Sequence, residues 1–532
     1  MSPSGPLFLG IDSSTQSLSA VAIDDSLNIV AVESINFDTE LPSFQTEGGV
    51  HRGDDGLTVT SPTTMWVAAL DLLLSRLHES GFPFDRVCAI SGSGQQHGSV
   101  YLRAGARGVL GKLNSDKPLR VQLAGLFAVE DSPVWMDSST SAQCAAREAA
   151  LGGAQATAEL TGSRAYERFT GNQIAKIYQS NPDGYHATER IQLVSSFVGS
   201  LLAGDPIPID AADGSGMNMM SIREKTWSPA AVECTAPGLR DKLGPIVASH
   251  TVVGAIHPYY TTRYGLNPAC KIVAFSGDNP CSLAALRLQA AGDIAISLGT
   301  SDTIFASLAE PAPSASEGNI FANPVDPDGY MALICWKNGS LTREEIRDSA
   351  AGGSWDEFSA ALDATPAGNS GQIGFYFKDP EITPPILQTG TFRFDANGNA
   401  VAEFAPQTDV RAIVEGQFLS MRLHCGNIGI RPLSILATGG ASANAAIIRT
   451  MSNVFGAPVY SAEVTDTASL GAAYRARHGW ICKQQGRFIP FAETMAAAPP
   501  FEQIATPDAD AHAVYSAILP RYAELEKRVI EA

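Results

Sequence analysis

Hydrophobic and polar residues alternate along the chain in runs that are typical of a mixed α/β protein. Two segments, Leu7–Asp24 and Asp293–Leu308, each consist of an apolar run, a short turn rich in small hydroxyl residues, and a second apolar run. This pattern predicts a β-hairpin in each segment. The likeness of the two hairpins indicates a weak internal repeat, with one copy in each half of the chain.

Other runs predict the strands and helices that surround these hairpins. Lys271–Phe275 predicts a buried strand, followed by a turn and a helix from Cys281 to Leu288. Ser434–Thr438 predicts a strand that leads through a glycine turn into a helix and then a strand at Pro458–Tyr460. Apolar positions at helical spacing predict further helices at Thr60–Gly81 (with Ser61 as its cap) and Arg190–Gly204. Ala142–Leu160 is predicted to be helical apart from Gly152 and Gly153, and Asp510–Ile530 is predicted to be a helix that is broken or kinked at Pro520.

The chain has 532 residues, which is enough for more than one domain. His257–Asn267 has few periodic apolar positions and contains two turn residues, so we expect a hinge there. This predicts an N-terminal domain of residues 1–262 and a C-terminal domain of residues 263–532. Gly368–Phe404 is turn-rich and β-prone, and its role stays unassigned.

The formal net charge is −19, which argues against a nucleic-acid or anionic-membrane partner because both require a basic surface. It does not argue against a nucleotide, since Mg²⁺ and backbone amides can bind phosphate. The eight cysteines show no metal-binding spacing, which predicts reduced thiols. The chain starts without a basic segment and has no apolar run of about 18 residues, so we expect a cytoplasmic protein without a membrane span.

Asp278 is the strongest candidate for a catalytic group. It follows the predicted strand Lys271–Phe275 and the turn Ser276-Gly277, and Asn279 comes next. Ligands of open α/β sheets bind just beyond the carboxyl ends of strands. A carboxylate at such a position can accept a proton from a substrate hydroxyl. The alternative is that Asp278 only caps the helix.

Three turns are candidates for phosphate or nucleotide binding. Asp12 and the hydroxyl residues after it can present N–H groups to a phosphate and a carboxylate to Mg²⁺. The turn from Gly299 to Asp302 has the same character, and Gly439 and Gly440 allow a ligand to approach the backbone. Ordinary structural turns are the alternative in each case. The stretches SGSGQQHGS and RGVLGKL do not match dinucleotide or P-loop motifs in register.

His97 and Arg168 are candidate ligand-binding residues with plain structural alternatives. His97 follows a predicted strand, but a single histidine is more often structural than functional. Arg168 lies among aromatic residues in RAYERFTGNQIAK and could instead be an ion-pair partner.

Read in order, the motifs STQ, LPSFQTEGGVH, GQQHGS, VWMDSST, TGSRAYERFTGNQIAK, DGSGMN, SGDNP, SLGTSDT and ATGGAS resemble the FGGY family of carbohydrate kinases. The resemblance extends from about Leu7 to Trp480. It implies an α/β fold of two ribonuclease-H-like domains of the actin and hexokinase type, with a cleft between them. It also implies phosphorylation of a ketopentose by ATP and Mg²⁺.

The resemblance implies roles for individual residues. Asp278 would be the catalytic base, and Asp12 would organise Mg²⁺, directly or through water. The implied sugar-binding residues are His97, Arg168, Asp278 and Asn279. The implied ATP-binding residues are Ser14, Thr15, Gly299, Thr300, Ser301, Trp355, Gly439, Gly440 and Asn444. The chain departs from the family at Ser14, where glycine is usual.

Other functions remain open at this point. The chain could phosphorylate another ketose or a polyol, could be an actin-like ATPase without sugar kinase activity, or could be a catalytically silent sugar sensor. The expected partners are the sugar and ATP, with no nucleic acid and no membrane. A monomer or a homodimer is expected.

Overall fold

The computed structural model describes residues 5–461 and 466–531, which form two compact units. The first unit comprises Met1–Gln289, Ile320–Tyr330 and Val464–Ala498. The second unit comprises Ala290–Asn319, Met331–Glu463 and Pro499–Ala532. Each unit therefore combines segments that are far apart in sequence.

The division between the units falls after Gln289, and not after residue 262 where the sequence pattern placed it. Lys271–Val273 pairs in parallel with Ala89 and Ile90, so this strand completes the sheet of the first unit. The expected hinge at His257–Asn267 contains the helix Pro258–Tyr264, whose tyrosines are buried. The compact units and the predicted domains therefore divide at different residues, and the domain boundary at residue 262 stays a prediction.

A seven-stranded sheet forms the centre of the first unit. The fully buried strand β1 (Leu7–Ser13) pairs antiparallel with β2 (Ser17–Asp24) and parallel with β4 (Val87–Gly94). The spatial order is β5-β6-β4-β1-β2-β3, and β7 pairs separately with β4. The strands are β1 (Leu7–Ser13), β2 (Ser17–Asp24), β3 (Ile29–Asn36), β4 (Val87–Gly94), β5 (Val252–Ala255), β6 (Lys271–Val273) and β7 (Ser276–Gly277).

The sheet of the second unit has the same arrangement at its centre. β8 pairs antiparallel with β9 and parallel with β11, just as β1 pairs with β2 and β4. The two predicted hairpins are confirmed, and the internal repeat is visible in strand topology. In the spatial order β10-β9-β8-β11-β12-β13 the strands are β8 (Asp293–Leu298), β9 (Asp302–Leu308), β10 (Tyr330–Trp336), β11 (Ser434–Thr438), β12 (Val459–Ser461) and β13 (Glu502–Ala505).

Four helices position the candidate site residues: α1 (Asp278–Ala285) and α4 (Thr467–Gln485) in the first unit, and α2 (Ser340–Ala350) and α3 (Pro406–Asn427) in the second. The other helices of the second unit are Trp355–Ala364, Ala445–Phe455 and Ala509–Ile530. Those of the first unit are Phe37–Glu40, Thr63–Glu79, Ala106–Leu110, Leu119–Gln122, Ser141–Leu151, Ala154–Thr161, Thr170–Ser180, Pro182–Ala187, Val194–Ala203, Ala211–Ser215, Pro229–Glu233, Leu239–Lys242, Pro258–Tyr264 and Phe491–Thr494.

Short strands outside the central sheets complete the units. The β-prone segment Gly368–Phe404 forms a small sheet of Ile373–Phe377, Gly390–Phe394 and Ala400–Val401. A further strand, Asn319–Ala322, belongs to the seven-stranded sheet that contains β8 to β13. The remaining strands, in the first unit, are His51–Arg52, Val59–Pro62, Ser99–Arg103, Phe127–Val129, Asp131–Pro133, Thr188–Leu193, Ile209–Asp210, Met220–Ser221, Thr226–Trp227 and Ile246–Val247.

Two predicted helices begin later than the sequence pattern indicated. The helix predicted from residue 60 begins at Thr63, because Val59–Pro62 is a strand. Ser61 lies in that strand and donates a hydrogen bond to the Gly49 carbonyl, so it is not the cap. The helix predicted from residue 190 begins at Val194, because the preceding residues Thr188–Leu193 pair with another strand.

Helix α4 contacts its neighbours through glycines, so that backbone packs directly against backbone. A Cβ atom on Gly10 of β1 would overlap the carbonyl oxygen of Ser469 in α4. A Cβ atom on Gly471 would overlap the carbonyl oxygen of Cys281 in α1. One helix from near the end of the chain therefore determines where β1 and α1 lie.

This packing generates a stability prediction. We expect Gly471→Ala to lower the free energy of unfolding by about 3 kcal/mol, because the added methyl group overlaps backbone that cannot move away. The matched control is Gly426→Ala in α3, where a Cβ atom meets no neighbour within 4 Å. That control should be neutral or stabilising by up to about 1 kcal/mol. Urea denaturation followed by circular dichroism measures both, and equal midpoints would contradict the packing role of Gly471.

Candidate active site

Asp278 lies where the sequence analysis expected it, at the carboxyl end of a strand. β7 pairs with the end of β4, and Asp278 follows as the first residue of α1. Gly277 occupies the N-cap position, so the interpretation of Asp278 as only a helix cap is wrong. The Asp278 Oδ1 atom accepts hydrogen bonds from the backbone N–H of Asn279 at 2.8 Å and from its side-chain amide at 3.1 Å.

The environment of Asp278 favours its protonated form. Burial raises its pKa to about 7, and the negative charge of Asp12 adds to the effect. Hydrogen bonds from the backbone N–H groups of Asn279 and Gln96 oppose this rise in the pKa of Asp278. A carboxylate whose pKa lies near neutrality can accept a proton from a hydroxyl and release it again, as a general base must.

Asp12 lies near the end of β1 and is only 4% exposed. Its two carboxylate oxygens accept hydrogen bonds from the hydroxyls of Ser14 and Ser93. Burial raises the pKa of Asp12, and the two hydroxyls oppose that rise. Both partners are uncharged hydroxyls. Sequence reasoning missed Ser93, which β4 brings beside Asp12.

Thr15 is held in the turn of the first hairpin by an exposed tryptophan. The Trp135 indole N–H donates to the Thr15 hydroxyl at 2.8 Å, and this hydroxyl donates to Gln95 Oε1 at 3.5 Å. Trp135 is 45% exposed, which is unusual for so large an apolar side chain. The motif VWMDSST contains Trp135, but its spacing gave no sign of this contact.

His97 is buried and neutral. Its Nδ1 atom lies 2.9 Å from the Gly216 carbonyl, to which it must donate. Burial lowers the pKa of His97 to about 3, and the charge of Arg168 contributes. Nε2 is therefore an acceptor. The backbone at His97 is left-handed (φ 72°), a strained conformation that is found preferentially at functional sites.

Arg168 is not engaged as an ion-pair partner within the described part of the chain. Its guanidinium lies over the rings of Tyr166 and Phe169, at 5.2 and 5.8 Å from their centroids. The His97 ring also contacts Phe169, with 4.7 Å between centroids. Phe169 thus keeps the cation and the neutral imidazole side by side.

Gln96, the sequence neighbour of His97, contacts the residue that follows Asp278. Its Oε1 atom accepts a hydrogen bond from the Asn279 side-chain amide at 2.8 Å. We call His97, Arg168, Asp278 and Asn279 the polar cluster. It combines a neutral acceptor, a cationic donor, an amide and a carboxylate, which suits a ligand with several hydroxyls. Gln96 was missed although it adjoins His97 in sequence.

The second unit contains a cavity of about 770 Å³ that brings together residues from two predicted motifs and Trp355. Its walls include the predicted ATP-binding residues Gly299, Thr300, Trp355, Gly440 and Asn444. Ser301 and Gly439 adjoin wall residues in sequence. The volume is within the range of small-molecule sites. Another cavity of the second unit, beside Trp336, measures about 30 Å³ and is too small for a nucleotide.

Gly439, which adjoins the cavity wall, and Asn444, which is part of it, also have structural roles. Gly439 has φ 83°, and a Cβ atom there would overlap the backbone of Leu298. Asn444 caps the helix Ala445–Phe455, and its Nδ2 atom donates to Ser359 at 2.9 Å. Arg347 lies 4.9 Å from the Trp355 ring centroid, which leaves the ring partly covered.

Within the described part of the chain, no group of three or more histidine, cysteine, aspartate or glutamate side chains could hold a metal ion. The near pair Asp12 and Asp278 fits Mg²⁺ better than a metal that needs a full protein cage, since Mg²⁺ keeps waters and phosphate oxygens among its ligands. None of the helices in residues 5–461 and 466–531 is long and apolar enough to cross a membrane. All eight cysteines are free.

Two family models match the chain. The model of the N-terminal domain of the FGGY family of carbohydrate kinases matches residues 128–285, and that of the C-terminal domain matches residues 294–480. These matches also divide near Gln289, where the compact units divide.

Known proteins with similar sequences extend over almost the whole chain. The chain is 54% identical to mouse xylulose kinase, over 98% of this chain and 94% of that protein. It is 46% identical to xylulose kinase 2 of Arabidopsis thaliana, over 99% and 98% of the two chains. The solved structure of a xylulose kinase from Rhodospirillum rubrum has the same fold, with TM-score 0.79 at 18% identity, over 98% of each chain.

The geometry around His97 generates a prediction that needs no assay of activity. We expect His97 to be neutral at pH 7 with its proton on Nδ1, because that proton is donated to Gly216. Long-range ¹H–¹⁵N correlation spectra of histidine-labelled protein report the tautomer, and His97→Gln assigns the signal. A proton on Nε2, or a charged ring at pH 7, would contradict the assignment of Nδ1 as donor and Nε2 as acceptor.

Proposed function

The chain belongs to the FGGY family of carbohydrate kinases, and from that premise we propose that it transfers the terminal phosphoryl group of ATP to D-xylulose, giving D-xylulose 5-phosphate and ADP. The observation that carries the proposal is the polar cluster, in which a carboxylate with a pKa near 7 adjoins donors and acceptors for sugar hydroxyls. The names of the mouse and Arabidopsis relatives support a ketopentose as the substrate.

In this proposal Asp278 is the general base. A sugar hydroxyl is a poor nucleophile, so Asp278 accepts its proton as the new phosphorus–oxygen bond forms. The N–H groups of Asn279 and Gln96 keep the carboxylate in place during the transfer. Positioning and charge stabilisation supply most of the catalysis in phosphoryl transfer. The position of the base therefore contributes more to the rate than its basicity.

Asp12 is the proposed Mg²⁺ residue, through a direct or water-mediated contact. Bound Mg²⁺ supplies positive charge to the transferred phosphoryl group. Ser14 and Ser93 orient the two carboxylate oxygens of Asp12. Ser14 and Thr15 form the first phosphate loop in this assignment.

The polar cluster discriminates hydroxyl from carbonyl groups on the sugar. The Nε2 atom of His97 can only accept a hydrogen bond, so in this proposal a sugar hydroxyl donates to it. Arg168 can only donate, so it binds a carbonyl or hydroxyl oxygen. The Asn279 amide nitrogen already donates to Gln96 and Asp278, so Asn279 offers its Oδ1 atom as an acceptor for a sugar hydroxyl. A ketose offers both kinds of group.

We assign the adenosine of ATP to the 770 Å³ cavity of the second unit. Trp355 offers an aromatic wall to the base, and Gly440 allows close approach to the backbone. Gly299, Thr300 and Ser301 form the second phosphate loop. We also place the enzyme in the cytoplasm, since free cysteines suit a reducing compartment, and expect a monomer or a homodimer.

A coupled assay of ADP release tests the proposed function. ADP release should depend on added sugar, and D-xylulose should give the highest kcat/KM in a panel of ketoses and polyols. A preference for ribulose, glycerol or a hexulose would overturn the substrate assignment but leave a sugar kinase. ATP turnover that needs no sugar would favour an actin-like ATPase.

We predict that Asp278→Asn retains sugar binding but loses about 10²–10⁴-fold in kcat, because the amide cannot accept the proton. The active form of Asp278 is the carboxylate and its pKa is raised to about 7, so wild-type kcat/KM should fall as the pH drops below about 7 and level off above it. Asp278→Asn should lack this dependence. Calorimetry with D-xylulose and pH–rate profiles measure both effects. A variant that kept more than about a third of the wild-type rate would contradict the role of Asp278 as base.

The sugar assignment generates a selectivity prediction. We expect the wild-type protein to have a higher kcat/KM for D-xylulose than for D-ribulose. His97→Ala and Arg168→Ala should each reduce the ratio of the two values, because the sugar that makes more hydrogen bonds with the site loses more when one partner is removed. The matched control is Arg164→Ala, in the same segment, whose partner is Glu148. The measurement is kcat/KM for both sugars on all four proteins. If kcat/KM fell by the same factor for both sugars, His97 and Arg168 would not discriminate between D-xylulose and D-ribulose.

A further inference from the structure

A fully buried ion pair, which the proposed chemistry leaves unused, joins the second hairpin to helix α2. Asp302 and Arg343 are each 0% exposed. Their contact has two parallel hydrogen bonds, from Nη1 to Oδ2 at 2.7 Å and from Nη2 to Oδ1 at 3.0 Å. Asp302 is the first residue of β9, and it directly follows Gly299, Thr300 and Ser301.

The carboxylate of Asp302 is tied to the turn as well as to Arg343. It accepts a hydrogen bond from the backbone N–H of Gly299, the first residue of the turn. Burial raises the pKa of Asp302, whereas Arg343 and this N–H oppose the rise. A charged partner on one side and the turn on the other therefore hold the same carboxylate.

Arg343 is in turn fixed by helices α2 and α3. It lies in the first turn of α2 and donates from Nη1 to Gln417 Oε1 of α3 at 2.8 Å. Gln417 donates to the Asn338 carbonyl at 2.7 Å, just before α2. The backbone N–H of Ser340 donates to the Gly299 carbonyl at 2.8 Å. The turn is thus joined to α2 by backbone and by side chain.

We infer that Asp302 and Arg343 are positioning residues that hold the turn Gly299–Ser301 in the conformation that receives a phosphate of ATP. This inference rests on the proposed function, and it assigns no contact between the pair and the nucleotide. A planar, bidentate pair without access to water allows little reorientation. The pair therefore also restricts the positions of Gly299 and Thr300, which line the 770 Å³ cavity.

The same unit offers a matched control. Arg393 and Asp409 form another bidentate pair, from Nε to Oδ1 at 2.7 Å and from Nη2 to Oδ2 at 3.0 Å. This pair joins the small sheet to the first turn of α3, and not to a phosphate loop. Loss of one partner from either pair leaves an unpaired charge and should destabilise the fold, but only the first pair should change nucleotide binding.

The test uses Arg343→Met and the double variant Asp302→Asn with Arg343→Met in the full chain. The double variant removes both charges, so its stability should exceed that of the single variant. Both should lose about tenfold to a hundredfold in kcat/KM for ATP, because the turn is no longer held. The KM for sugar should be unchanged. Should the single variant not fold, the double variant and Arg343→Lys carry the test.

The control variants are Arg393→Met and Asp409→Asn with Arg393→Met, which should lower thermal stability and leave kcat/KM for ATP unchanged. Recovery of wild-type kcat/KM for ATP in the Asp302 and Arg343 double variant would overturn the inference and show a purely stabilising pair. Equal losses in the control variants would overturn it too. The affinity of each variant for ATP is also measured by calorimetry. If the wild-type protein bound ATP but did not phosphorylate a sugar, the proposed function would fail. The ATP affinities of wild type and variants could still be compared, so the inference about Asp302 and Arg343 would be tested separately.

Discussion

Close backbone packing around helix α4 is the constraint on which the first candidate site depends. Gly10 and Gly471 let α4 touch β1 and α1 without side chains between them. Arg475 of α4 is buried and donates to the backbone carbonyl of Ala274, close before α1. Since Asp12 lies near the end of β1 and α1 begins with Asp278, this one helix sets the position of both carboxylates. Residues from near both ends of the chain thereby build one site.

The two hairpins share a strand topology but treat their carboxylates in opposite ways. Asp12 is held by the uncharged hydroxyls of Ser14 and Ser93. The charge of Asp302 is neutralised by Arg343, so this carboxylate acts through geometry instead. The repeated fold element therefore has one turn whose carboxylate is held by hydroxyls and one turn whose carboxylate is paired with an arginine.

The two candidate sites also differ in their physical character. In the polar cluster of the first unit, Gln96 contacts Asn279, and the ring of Phe169 contacts both Arg168 and His97. Such a site recognises a small ligand by the direction of each hydrogen bond. The second unit presents a large cavity with an aromatic wall and glycine turns, where shape and stacking dominate. A polyhydroxy sugar and a nucleotide are the respective ligands that this contrast favours.

The sequence by itself determined both hairpins, the strand Ser434–Thr438, and the family to which the chain belongs, because strand periodicity and motif order are local properties. It also identified Asp278 at the end of a strand. Only the tertiary structure decided the division of the units after Gln289, the tautomer of His97 and the pairing of Asp302 with Arg343. Each of these depends on contacts between residues that are distant in sequence, and no local pattern of apolar and polar positions records which distant partner a side chain meets.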